Sequence, residues 1–509
     1  MRLLLLLSGN SKVLMNWVAK FRKVKSIFLA LLFSLSVSGE PFLSPQNPFL
    51  RHEIRLLQDE RIISSCLNTW PYDLGNFYGR NFETSWKHDL LGDTLGKENQ
   101  LGLNSLKSSV GISDNKTTAR SFFNKPRGRF NSQVETSWMS DRFAAKLSLL
   151  ALYGVENDWK GRKDDGIELD GSYISVRLGN WSTTFGQVDR WWGPGWDGSL
   201  ILSTNARPIP AISFDRRIKE PFESKWFSWI GPWSVHSFIG RLEKERTIPS
   251  PYLWGMRGEF SPSILDGLEI GFFRMIQLGG EGRPSGFNTW MDAFLSQDNY
   301  GANTGRNNRL LEPGNQLAGI DLRWKVFDAP LALYGQVVGE DEDKFFPNSL
   351  MFQYGVENWG EWNDHSYRLF AEYTDLTSYW WTDYHLTRNV TYGHHIYTDG
   401  YRFHGRPIGH WADQDSQILS LGGLLLSENG NGWGTTIRNG KLNEDGTGSN
   451  SVSNGYSSDY FSFEILNFRS FSRYDFETQV ALGWEEIKKD SLLKSEKGLT
   501  FNVSFTKLF

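Results

Sequence analysis

Five of the nine histidines, His385, His394, His395, His404 and His410, fall within one short stretch. Imidazoles can bind a metal or make hydrogen bonds. The stretch has no HExxH spacing and the one cysteine, Cys66, lies far away, so hydrogen bonding is the stronger reading and no metal or other cofactor is expected. A second concentration of chemistry is Gly186 to Arg217, GQVDRWWGPGWDGSLILSTNARPIPAISFDRR. Trp191, Trp192 and Trp196 surround a Gly193-Pro194-Gly195 turn beside Arg190, Asp197, Asn205 and Arg207. Flat indole faces stack on sugar rings, while such polar groups bond hydroxyls or carboxylates. The reading slightly ahead is that the same residues fix a constriction or lock a plug to a wall, since Gly-Pro-Gly turns and buried arginines commonly serve packing. A third run, Tyr379, Trp380, Trp381, Tyr384, His385 and Arg388, reads as a surface loop or as a membrane-interface girdle. No Gly-x-Ser-x-Gly, Walker or dinucleotide pattern occurs, and neighbouring carboxylates such as Asp164 and Asp165 are too common in loops to mark a glycosidase. Glu372 and Asp375 read as lumen or loop charges, and no catalysis is expected.

These groups must be carried by regular elements, and two periods are visible. From Asn47 the pattern is helical: Asn47 caps, Pro48 suits the first turn, and Phe49, Leu50, Ile54 and Leu57 form a stripe. A second helix-compatible stretch runs from about Arg80 to Leu106. After about Arg129 the period becomes two. In Gly171 to Leu178 one face holds Tyr173, Ser175 and Arg177, the other Ile174, Val176 and Leu178. In Asp475 to Glu485, Asp475, Glu477, Gln479 and Glu485 oppose Phe476, Val480, Leu482 and Trp484. Charges on one side would be ruinous in lipid and harmless in a wet lumen. The closing segment puts Leu499, Phe501, Val503, Phe505 and Phe509 on one face, and Thr500, Asn502, Ser504 and Thr506 on the other. As a soluble edge strand, that row of Phe would invite aggregation. The reading is an all-β membrane protein, a large antiparallel transmembrane β-barrel of roughly 16 to 18 strands, wide enough for a water-filled interior that something must occupy or gate.

Bulk properties agree. The 509 residues are 39% hydrophobic yet 15% aromatic, with 22 Trp, 18 Tyr and 35 Phe. That is too polar for a bundle of membrane helices, but it suits strands with one greasy face and aromatic rims, or a secreted carbohydrate-active enzyme. A formal charge of -4 gives no global case for nucleic acid. At the amino terminus Lys20, Arg22, Lys23 and Lys25 precede the apolar run Ile27 to Val37 and the small residues Ser36, Ser38 and Gly39. This is the order of an export signal, expected to span residues 1–39 with cleavage before Glu40 and Met15 as the natural start. The expected division is then a helical segment at 40–128 and a barrel at 129–509.

Three segments carry a resemblance. Gly186 to Arg217 is similar to the signature of the Wzi family of capsule-assembly proteins. Leu50 to Phe77, LRHEIRLLQDERIISSCLNTWPYDLGNF, looks like that family's first helices, and Tyr392 to His410, YGHHIYTDGYRFHGRPIGH, resembles its late signature segment. The resemblance implies an eighteen-strand outer-membrane barrel with an amino-terminal helical bundle at the periplasmic end. It also implies a non-enzymatic lectin for capsular or related polysaccharide at the cell surface, contacted through Arg190, Trp191, Trp192, Trp196, Asp197, Asn205, Arg207, Tyr401, Arg406 and His410. Outer-membrane lipids and, through the strand ending at Phe509, the barrel assembly machinery are the other expected partners. A diffusion porin and a secreted glycan-active enzyme are the rival readings.

Overall fold

The computed structural model describes residues 40–77, 91–92, 102–103, 106–113, 118–123, 125–155, 165–295, 314–343, 346–380, 385–471, 475–490 and 494–508. The proposed leader and Phe509 therefore lie outside the described residues. Alternation decides the architecture. In Tyr173–Leu178, Ile174 and Leu178 are exposed on an outer wall while Tyr173 and Ser175 are buried. In the last strand Leu499, at 79% exposure, lies outside with Phe501 and Phe505, and Asn502 points inward at 2%. Such strands close into an antiparallel barrel of 18. Lys494–Leu508 meets Lys107–Ser113 with Phe505 opposite Val110, as an even count requires for antiparallel closure.

The sheet starts earlier than the expected boundary at residue 129. Lys107–Ser113 is one of its strands, and Gly102–Leu103, at the end of the second expected helix, pairs with Trp138–Met139. KSSVGIS is short and polar, with Val110 and Ile112 alone to mark a greasy face, so its period is weak. Most of residues 80–106 lie outside the described residues.

The barrel's ends differ. One is closed mainly by tight turns such as Asn363-Asp364, both in the left-handed region (φ 46° and 60°) that a two-residue hairpin demands. The other carries the long connections 188–209, 242–251, 388–416 and 443–457. In bacterial outer-membrane barrels the short turns are periplasmic and the long loops extracellular, which orients this one.

Helix α1, Pro48–Asp59, begins as its sequence predicts, with Asn47 Oδ1 accepting from the Phe49 and Leu50 amides at 2.9 and 3.3 Å. It enters the lumen, where both of its faces are buried. Phe49, Leu50, Ile54 and Leu57 pack with Phe370, Leu424, Leu426 and Phe468. Phe49 fills the space in which a Cβ at Gly432 would stand, 2.5 Å from the ring. The polar stripe meets wall charges: Asp59 accepts from Arg323 at 2.8 Å and Arg368 at 2.9 Å, and both arginines also hold Glu357. Arg55 pairs with Glu269, and His52 lies 3.1 Å from Ser366 Oγ. The expected water-filled interior is instead a packed one. Above α1 an apolar layer of Trp192, Leu200, Ile201, Met275, Leu317, Val338 and Trp411 crosses the barrel.

Candidate functional site

The segment 188–209 leaves the extracellular end of Trp181–Gln187 and folds down into the lumen. Trp191 and Trp192 pair antiparallel with Trp70 and Thr69 from the chain that follows α1, and the Gly193 amide donates to the Asn68 carbonyl at 2.8 Å. The Arg51 guanidinium donates to the Pro194 and Gly195 carbonyls, 2.8 Å each. It also stands 4.3 Å over the Trp196 ring and 4.6 Å over Phe122. Trp196 donates through its amide to Glu372 at 2.8 Å and through its indole to Glu357 at 2.7 Å. Gln336 accepts from the Leu200 amide and donates to the Trp192 carbonyl, at 2.6 and 3.0 Å. Glu372, which the sequence leaves as a lumen or loop position, faces the lumen and accepts from the Trp196 and Gly198 amides.

Asp197 is the polar centre of the upper layer. It accepts from Arg438 Nε at 2.8 Å, Ser420 Oγ at 2.7 Å and the Trp411 indole at 3.1 Å. Burial alone would raise this carboxyl, but Arg438 and these donors outweigh it and hold Asp197 below the ordinary range. His410 lies against the same segment so closely that a Cβ on Gly198 would fall 2.0 Å from its ring. Burial pushes the His410 imidazole down to about 4, against the pull of Asp197. Its Nδ1 accepts from the Ala412 amide, and its Nε2 has no partner.

The two long segments that carry the sequence signatures meet along their length. Asn205 donates to the Pro407 carbonyl at 2.9 Å and accepts from Arg406 at 3.0 Å. Tyr401 OH donates to the Ile201 carbonyl at 2.8 Å, and the Ser203 amide to that of Ile408 at 2.9 Å. Arg207 is turned aside to Asp170, two contacts of 3.0 Å, and to Glu168. Arg190 donates to the Val188 carbonyl and stacks 4.8 Å over Phe238. Arg190 and Arg207 line a cavity of about 20 Å³, room for one water and far too small for a sugar ring. Of the ten candidate residues, nine are buried and Arg406 is partly exposed.

The histidine stretch divides. His394 and His395 lie near the surface with their rings tilted against each other, 4.6 Å apart, while His410 lies in the interior. Among the described residues, three or more His, Cys, Asp or Glu nowhere gather as a metal site. Tyr379 is half exposed at the extracellular end of its strand, and Arg388 pairs with Glu444 at 2.8 Å in the loops above. The inward residues that receive the plug, Arg323, Gln336, Glu357, Arg368 and Arg438, were not singled out from sequence. Their only signal is polar residues alternating with greasy ones.

Comparison with known proteins now bears on this architecture. The family model of the capsule assembly protein Wzi matches residues 103–499. The chain belongs to the Wzi family. It is 30% identical over 431 residues to an uncharacterised 55.8 kDa protein in the cps region of Klebsiella pneumoniae, covering 82% of this chain and 81% of that one. Its fold matches that of Wzi from Escherichia coli, an outer membrane protein involved in group 1 capsule assembly and described as a carbohydrate-binding β-barrel. The TM-score is 0.77 at 23% identity, over 92% of this chain and all of the other. This Wzi-family chain is an outer-membrane barrel whose lumen is occupied by α1 and by the folded-in segment 188–209.

Proposed function

We propose that this Wzi-family barrel holds exported capsular or related polysaccharide at the cell surface, as a binding protein rather than an enzyme. The observation that carries the reading is the filled lumen in a chain of this family. With Arg51, Trp191 and Trp196 packed across the interior, the extracellular loop surface is where a polymer can be held. A diffusion porin needs an open path that this packing denies. Kinship with a carbohydrate-binding barrel supports the same assignment.

In this proposal the buried candidates, Trp191, Trp192, Trp196, Asp197, Tyr401 and His410, set the shape of the loops, and the partly exposed Arg406 makes contact. A single contact on a sugar is weak, so a long polymer engaging several rim groups gains through avidity. The proposal further has the closing strand ending at Phe509 read by the barrel assembly machinery, and the outer wall solvated by outer-membrane lipids. In cells from which the chain's gene is deleted, polysaccharide should shift from the cell pellet to the medium while total production stays constant. Unchanged retention would remove the proposal.

A further inference from the structure

The loop that leaves Leu268–Leu278 turns back along the outside of the barrel. Its helix α2, Phe287–Phe294, lies against the outer wall. On the strands beneath it, Arg257, Glu269 and Asp321 point into the lumen, so Trp254, Arg274, Ile276 and Gln316 face outward. Ala293 packs with Ile276, Leu278, Trp254 and Met256. Trp290 and Phe294 sit 5.6 and 5.5 Å from the Trp254 ring. Arg274 is a cation on a wall that otherwise faces lipid, where an uncompensated charge is costly. Its guanidinium donates to the Ala293 carbonyl at 2.9 Å, to the Phe294 carbonyl at 3.1 Å and to Gln316. These carbonyls form the negative end of α2, so the helix terminus and the cation neutralise each other.

This docking uses one face of α2. The neighbouring face presents Phe287 at 78% exposure, Met291 at 37% and, at the C-cap, Leu295 at 45%, spaced one helical turn apart. On the strands beneath the helix, Phe272 and Ile320 are likewise exposed on the outer wall. We propose that α2 is an interfacial membrane helix, fixed to the barrel by Arg274 and burying Phe287, Met291 and Leu295 among the acyl chains at the outer-leaflet boundary. A short helix with one aromatic, apolar face, lying in the plane of a bilayer, is the geometry of such anchors. The occupant is lipid because the wall on which the helix rests is the transmembrane wall. The helix widens the apolar band there, and in doing so anchors the loop that contains it beside the rim.

The full chain can be tested directly, because its one native thiol, Cys66, is buried and leaves an introduced cysteine to be labelled alone. Met291→Cys is labelled with a small fluorophore, and the protein is reconstituted into dioleoylphosphatidylcholine vesicles or into vesicles of the chain-brominated lipid. Fluorescence should fall by half or more in the brominated vesicles and respond little to aqueous iodide. A label at Glu281→Cys, in the exposed turn before the helix, should behave in the opposite way. Iodide quenching at 291 with no bromine effect would mean that the face meets water. Energy transfer between labelled copies that rises with protein-to-lipid ratio would mean that a second copy covers it. Either result overturns the proposal. Arg274→Gln should weaken bromine quenching at 291 while barrel assembly persists, and unchanged quenching would remove the arginine from its assigned part.

Discussion

Arg51 donates to the Gly195 carbonyl across 2.8 Å, and that contact joins a helix entering from the periplasmic end to a loop entering from the extracellular one. Each segment also has its own wall contacts, α1 with Arg323 and Arg368 and the loop with Gln336, Glu372 and Arg438, and they share Glu357, which takes the Trp196 indole and both of those arginines. Arg51→Met removes both guanidinium hydrogen bonds and leaves two buried carbonyls without donors, a loss of about 3 kcal/mol. Barrels should still assemble, with a lower melting temperature. In planar bilayers the variant should show currents that the parent lacks.

Asp197 and Arg438 form a pair buried to within a few per cent. Removing either partner leaves an uncompensated charge, so Asp197→Leu or Arg438→Met should each cost about 3 to 5 kcal/mol. The double variant should be less destabilised than the two singles combined, because it leaves no orphaned charge. Heat-dependent gel mobility of the four proteins measures this cycle, and strict additivity would mean that the pair does not act as a unit.

His410 gives a pH signature. Its folded value, about 4, lies below the ordinary 6.5, so between the two the unfolded chain binds the proton and the folded chain does not. Its contribution is fully present above pH 6.5 and is lost as pH falls towards 4, about 3 kcal/mol in all. Asp197, Arg438 and Trp411 face the ring and stay as they are in a His410→Asn variant, whose amide oxygen can still accept from Ala412. The parent's melting temperature should fall more steeply than the variant's across this window. Parallel slopes would place the titration elsewhere.

Much of the fold is legible because a strand between lipid and lumen writes its two faces into alternate residues. Ile174 and Leu178, or Leu482 against Glu485, show it without any structure, as Asn47-Pro48 announces α1. Lys107–Ser113 is not legible in that way, since seven mostly polar residues carry too little contrast. The candidate site is legible only as a place. Trp191, Trp192 and Trp196 mark a segment of special chemistry, but an indole aimed at a sugar and one aimed at a core have the same type and spacing. What distinguishes them is Arg51, over 130 residues earlier, and Glu357 and Glu372, over 160 later. Those partners are set by barrel register, which no local pattern contains.

The aromatic motif makes its own forecast. If Trp191 and Trp192 shape the plug, replacing both with Ala should lower the yield of assembled barrel or open a conducting path, while the barrels that do assemble hold polysaccharide normally. Loss of binding per assembled barrel, with yield unchanged, would move these rings into direct contact with glycan.

The central claim, that the extracellular loops hold polysaccharide, is tested most directly by saturation binding. Purified barrels in detergent would be titrated with polysaccharide from the cell that makes them, alongside an unrelated porin as control. Saturable binding that Arg406→Gln weakens without altering heat-dependent mobility is the predicted result. Binding no greater than that of the porin, at polymer concentrations found at the cell surface, would contradict the account.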